Sequence, residues 1–190
     1  MTILVTGLVL FLGIHSIAIV APQVRVRAVA ALGGNAWQGL YSLLSVAGFA
    51  LILYGFHRAR QAPVALYLPP SWGRQAALVL MVPVFPLILA AYFPGRIKAA
   101  MQHPMLLAVM LWALAHLLSN GTLADVLLFG LFLLWAVLDR ISFSWRPPQV
   151  IRTAPPARAN DLIAVLAGLA LYAVFLGWAH RWLFTVSPMG

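Results

Sequence analysis

Six times along the chain an apolar run of roughly 20 residues, the length a helix needs to cross a bilayer core, returns after only a short polar break. The runs lie near residues 2–21, 38–57, 75–94, 104–118, 123–139 and 161–182. Lipid offers no water to a backbone N–H or C=O, so segments of this kind must close their hydrogen bonds internally. The fold class is therefore all-α: a polytopic membrane helix bundle with about six transmembrane helices, in one integral membrane domain over residues 1–190. Only 8% of the residues are charged, against about 25% in soluble proteins.

The formal net charge of +9 would fit nucleic-acid binding if the basic residues shared a face. They stand singly or in pairs between the apolar runs, so nucleic acid is excluded as a partner and the charges serve as topology signals. Arg25 and Arg27 fall in the first connection, Arg96 and Lys98 in the third, and Arg140, Arg146, Arg152 and Arg158 in the fifth. Arg58, Arg60, Arg74 and Arg181 fall on the other side. Cytoplasmic loops carry the excess of Lys and Arg, which places both termini outward. The first run has no Lys or Arg before it and no small-residue cleavage site, so it is expected to stay as a helix. Cysteine is absent, which excludes disulfides, thiolate-ligated haem, iron–sulfur clusters and covalent haem attachment.

Local signals refine the spans. The fourth run opens at Pro104, a good first-turn residue, and ends at Ser119-Asn120-Gly121, so the fourth and fifth spans are expected to form a tight hairpin. Thr122 followed by Asp125 has the spacing of a capping pair, which makes Asp125 structural. Pro83 and Pro86 should kink the third span and need a neighbour beside the freed carbonyls. A connecting loop, 141–160, contains WRPPQVIRTAPPARAN (145–160), too short and polar for a core, and precedes a C-terminal helix at 161–182. Trp37, Trp72, Trp145 and Trp182 sit near span ends, where indoles favour the interface.

Five histidines divide into two groups. His57 and His180 stand at the outer ends of the second and sixth spans, each followed by Arg, and read as interfacial. His15 and His116 lie within apolar runs, with His103 at the membrane edge. A neutral imidazole with an unmet donor or acceptor in a dry interior costs about 1–3 kcal/mol. Ser16, Ser119, Asn120 and the carbonyls of the kinked third span are possible partners in a structural network. Carboxylates are too scarce for a proton relay, and phosphate-cradling loops and a Ser-His-Asp arrangement are missing. The remaining chemistry is imidazole as a metal ligand, and two membrane imidazoles among apolar side chains suit haem. Ala108, Trp112 and His116 share a helix face, a stripe that suits a flat ring lying against Trp112 beside a small residue and equally suits plain packing.

The linked motifs FLGIHS (11–16), GLYSLLS (39–45), PGRIKAAMQHPML (94–106), LWALAHLLSNG (111–121) and LLWAVLDR (133–140) resemble the NnrU family of bacterial membrane proteins, over roughly residues 1–142. The resemblance implies a multi-pass protein of the bacterial inner membrane that supports denitrification, with production of functional nitrite and nitric oxide reductases and their maturation proteins as partners. The family is similar to plant zeta-carotene isomerase, a membrane haem b protein. Carried over by motif, His15 and His116 look like axial haem ligands and His103 like a further histidine of the pattern. Where the isomerase has a cysteine one turn before its second ligand, this chain has Ala113. Arg96 and Lys98 are candidates to pair with haem propionates, or simply anchor the chain at the cytoplasmic face.

At about 1.5 Å per residue, His15 lies roughly 9 Å, His116 about 18 Å and His103 near zero from the cytoplasmic ends of their spans. Depth therefore leaves His103 and His116 both open as the partner of His15. Three readings remain: a haem b protein supporting nitrogen-oxide reductases, a haem-dependent isomerase of a hydrophobic polyene, and a non-enzymatic assembly factor whose histidines are structural.

Overall fold

The structure is a computed structural model that describes residues 1–146 and 153–190, so part of the expected connecting loop, with Arg152, lies outside the described residues. The regular structure within them is helical. The helices are α1 (Thr2–Val20), α2 (Pro22–Leu32), α3 (Gly34–Ala59), α4 (Gly73–Met81), α5 (Val84–Tyr92), α6 (Arg96–Met101), α7 (Pro104–Ser119), α8 (Leu123–Ser142), α9 (Asn160–Val174) and α10 (His180–Phe184). A π-helical turn, Phe175–Ala179, joins α9 to α10.

Each of the six apolar runs coincides with helix, but among the described residues four segments, not six, are long and apolar enough to cross a membrane. They are Thr2–Val20, Gly34–Ala59, Gly73–Tyr92 and Asn160–Phe184. The two shortfalls have physical causes. The 16 residues of α7 reach only about 24 Å, short of a bilayer core of about 30 Å. The 20 residues of α8 are long enough but carry Asp125, Asp139 and Arg140 toward the ends. Side chains such as Val9, Leu43 and Val79 are about two-thirds exposed on these apolar helices, a surface that suits lipid and marks a membrane protein.

The chain divides into two compact units. The first unit, Met1–Leu68 with Gly121–Arg146, is built on the pairing of α1 with α3, onto which α8 packs. Association of apolar helices in lipid gains little from hydrophobicity and depends on close packing at small residues. A Cβ on Gly7 would stand 2.6 Å from the Ile52 amide nitrogen, and one on Gly48 would stand 2.9 Å from that of Phe11. Leu4 and Leu8 fill the seam between the backbones.

The N-terminus of α8 carries the expected capping box. The Asp125 amide donates to Thr122 Oγ1 at 3.3 Å, and the Thr122 amide donates to the Asp125 carboxylate at 3.0 Å. An extended stretch before it lies alongside: the Leu123 amide donates to the Val64 carbonyl, and the Leu66 amide to that of Gly121. Burial, and then the nearby Asp125 carboxylate, push the phenol of Tyr67 above its ordinary pKa. At the other end of α8, Asp139 pairs with Arg146, and the fully buried Ser142 links the two. Arg25 and Arg27, expected in a connection, lie on the helix α2, which opens on Pro22 and ends at Gly33, whose φ of 84° favours glycine.

The second unit comprises Pro69–Asn120 and the described C-terminal residues 153–190. Its third span is broken where prolines predict. Pro83 has no N–H, and the Val82 amide turns to the Val79 carbonyl at 3.2 Å. The Leu78 carbonyl then accepts from the phenol of Tyr172 on α9 at 2.8 Å. The same helix approaches through Gly168, where a Cβ would collide with the backbone of Pro86. Thus α9 is the neighbour the kink requires. Val84, Leu87 and Ala108 form the buried centre between α5 and α7. The expected α7–α8 hairpin has its short connection, but the unit boundary falls within it: α7 packs on α4 and α5, and α8 on α1.

Candidate functional site

Of the expected site residues, His15 belongs to the first unit, and His103, His116, Trp112, Arg96 and Lys98 to the second. His15 is half-buried on α1, and its Nδ1 donates to the Phe11 carbonyl at 2.6 Å. A carbonyl can only accept, so the proton sits on Nδ1 and the neutral ring carries its lone pair on Nε2. Phe11 stacks on the imidazole at 4.2 Å between centroids, and Tyr41 and Trp135 present edges at 5.3 and 6.1 Å. The indole Nε1 of Trp135 is buried without a hydrogen-bond partner. Such a donor costs on the order of 1–3 kcal/mol unless something accepts from it.

His116 repeats the arrangement in the other unit. Its Nδ1 donates to the Trp112 carbonyl at 2.8 Å, which again puts the lone pair on Nε2. Metal-ligating histidines characteristically donate their other ring N–H to a carbonyl or carboxylate, and this fixes tautomer and orientation. Trp112 lies beside the imidazole, with centroids 5.4 Å apart. On the same helix face, Ala108 is fully buried against Val84 and Leu87. The stripe packs at one end and carries the imidazole at the other.

The side chains that the sequence offers as partners of the rings donate to backbone carbonyls. Ser16 donates to the Leu12 carbonyl and Ser119 to that of Ala115. Asn120 donates to the backbone carbonyl of His116 at 3.0 Å, at the end of the helix. His103 is the N-cap residue of α7, where its carbonyl accepts from the amides of Leu106 and Leu107. Lys98 donates to the Ala91 carbonyl at 2.8 Å, a cation at the C-terminal end of α5. The backbone amides of Arg96 and Ile97 donate to the Asp161 carboxylate at 2.8 and 3.0 Å. Asp161, 65 residues further along, has no sequence signal tying it to this turn.

His180, expected as an interfacial side chain, has a neighbour the sequence does not signal: its ring stands 6.5 Å from that of His116 with planes 22° apart. Its Nδ1 donates to the Val186 carbonyl at 2.7 Å. His57, by contrast, is exposed and contacts Gln61. Among the described residues, no group of three or more His, Cys, Asp or Glu side chains gathers to hold a metal ion. A cofactor that brings its own equatorial ligands needs only two axial ones.

No curated protein and no solved structure matches the chain. The family model described as NnrU protein matches residues 3–188, beyond the 142 residues over which the sequence motifs carry the likeness and through the C-terminal helix with His180. On that match, which spans nearly its whole length, the chain belongs to the NnrU family.

Proposed function

We propose that this NnrU family protein is a multi-pass protein of the bacterial inner membrane, with periplasmic termini, that binds haem b and supports production of functional nitrite and nitric oxide reductases. The observation that carries the reading is the state of the intramembrane imidazoles. His15 and His116 each hold Nδ1–H on the backbone carbonyl one turn earlier and carry the lone pair on Nε2, the tautomer that axial ligation requires. The resemblance to the isomerase nominates the same two residues as ligands.

The surroundings fit an apolar macrocycle. Within its own unit each imidazole has an aromatic neighbour, Phe11 beside His15 and Trp112 beside His116. Haem, when bound, supplies a one-electron iron centre. The chain's own part is to hold Nε2 toward the metal, to keep Nδ1 protonated and to exclude water with aromatic and aliphatic side chains. Lys98 and Arg96 anchor the turn after α5, since the ammonium is engaged with Ala91 and the Arg96 amide with Asp161.

The isomerase alternative needs an exchangeable ligand one turn before His116, where Ala113 is fully buried and offers no donor atom. In the assembly-factor alternative the histidines only pack. Complementation in a denitrifying host separates the readings. Wild type is expected to restore nitrite and nitric oxide reductase activity in a strain lacking the gene, and His116→Ala to fail although present in the membrane. Full complementation by His116→Ala would sink the haem-dependent role.

A further inference from the structure

We infer that His180 is the second imidazole on the metal held by His116, so that both axial ligands come from the second unit. The inference rests on the haem reading and replaces one of its ligands, because the family resemblance nominates His15 and says nothing of His180.

Three departures from ordinary helix geometry converge on this residue. The first is the π-helical turn Phe175–Ala179 immediately before it. Each residue added to a turn rotates the downstream helix by about 100°, and single π-turns occur frequently at functional sites. The second is Thr185, a β-branched residue at φ 60°, a conformation such side chains rarely adopt and that costs on its own. The third is its consequence: the reversal at Thr185 brings the Val186 carbonyl back to accept from His180 Nδ1, six residues earlier, at 2.7 Å. An ordinary interfacial histidine needs none of these.

The pair geometry agrees. An imidazole nitrogen bonds a metal at about 2 Å, so two trans imidazoles place their ring centroids about 6 Å apart and two tetrahedral ones about 5 Å. The two centroids stand 6.5 Å apart with the ring planes 22° apart, a separation within reach of two imidazoles that share one metal. Both rings hold Nδ1–H on a backbone carbonyl, so both have Nε2 as the ligating nitrogen. Trp112 and Phe184 stand against the two imidazoles at 5.4 and 5.1 Å and give the site an apolar border.

The test uses the full chain in detergent, loaded with haemin, and reads ferric spin state by absorption and electron paramagnetic resonance for wild type and His180→Ala. Wild type is expected to give a low-spin, bis-imidazole ferric signal. His180→Ala is expected to lose it for a high-spin signal and to regain it when free imidazole is added. His180→Met, which keeps a ligand at the position, should retain haem with a raised midpoint potential, and decides the matter if the alanine variant does not fold. A low-spin signal that survives in His180→Ala, or an unchanged potential in His180→Met, overturns the role of His180 and leaves the haem reading standing. A wild-type chain that takes up no haemin overturns both.

Discussion

The two units each hold a histidine of an apolar helix in the same local way and surround it differently. In each, Nδ1 donates to the carbonyl one turn earlier. Around His15 the neighbours are Phe11, Tyr41 and Trp135, on helices brought close by glycine. His116 meets a second imidazole, presented by a π-turn and a folded-back tail. The i−4 carbonyl therefore fixes a tautomer and does not by itself make a ligand; the groups on the Nε2 side decide the chemistry.

The largest effect that would break this comparison is on cofactor content. His116→Ala should abolish the haem Soret band of the purified protein, whereas substitutions at packing positions should change stability and keep haem in whatever fraction folds. Within the first unit, Gly7→Val should be the most damaging of these. A side chain there runs into the backbone of α3 at Ile52, and overpacking of this kind costs about 1–3 kcal/mol or more, visible as loss of folded protein in detergent melts.

In the second unit the corresponding weak point is polar. Tyr172→Phe leaves the Leu78 carbonyl without its phenol donor, and a buried acceptor so stranded costs about 1–3 kcal/mol. A hydrogen-exchange measurement should show the break at Val82–Pro83 opening more readily. Thr122→Ala removes one arm of the capping box and should cost about 1 kcal/mol in the first unit alone, read as a lowered melting temperature. The smallest effect has the opposite sign. Trp135→Phe removes the unpartnered indole N–H, so the haem-free protein should melt unchanged or be more stable by a few tenths of a kcal/mol, since the lost donor had no bond to lose.

Features that depend on neighbours along the chain were legible in the sequence. The apolar runs, the Thr122–Asp125 box and the proline break all obey local rules and appear at the expected residues. α2 escaped because its short Val-Arg alternation buries no residue and so leaves no helical stripe to read. The Asp161 cap on the turn at Arg96 and Ile97, and the pairing of His180 with His116, join residues more than 60 positions apart. His180 also depends on one extra residue in a turn, which periodicity at 3.6 residues per turn cannot register. The stripe through Ala108 left two readings open for a related reason: a small residue on a helix face marks close packing as readily as a place for a ligand.

The central claim is that these imidazoles hold haem b. The most direct measurement is the absorption spectrum, oxidised and then dithionite-reduced, of wild-type protein purified in detergent from haem-replete cells. The account predicts a Soret band with sharp α and β bands on reduction, in amounts approaching one haem per chain. A spectrally empty protein that is folded and remains so after haemin is supplied would contradict it, and the histidines would then be packing residues.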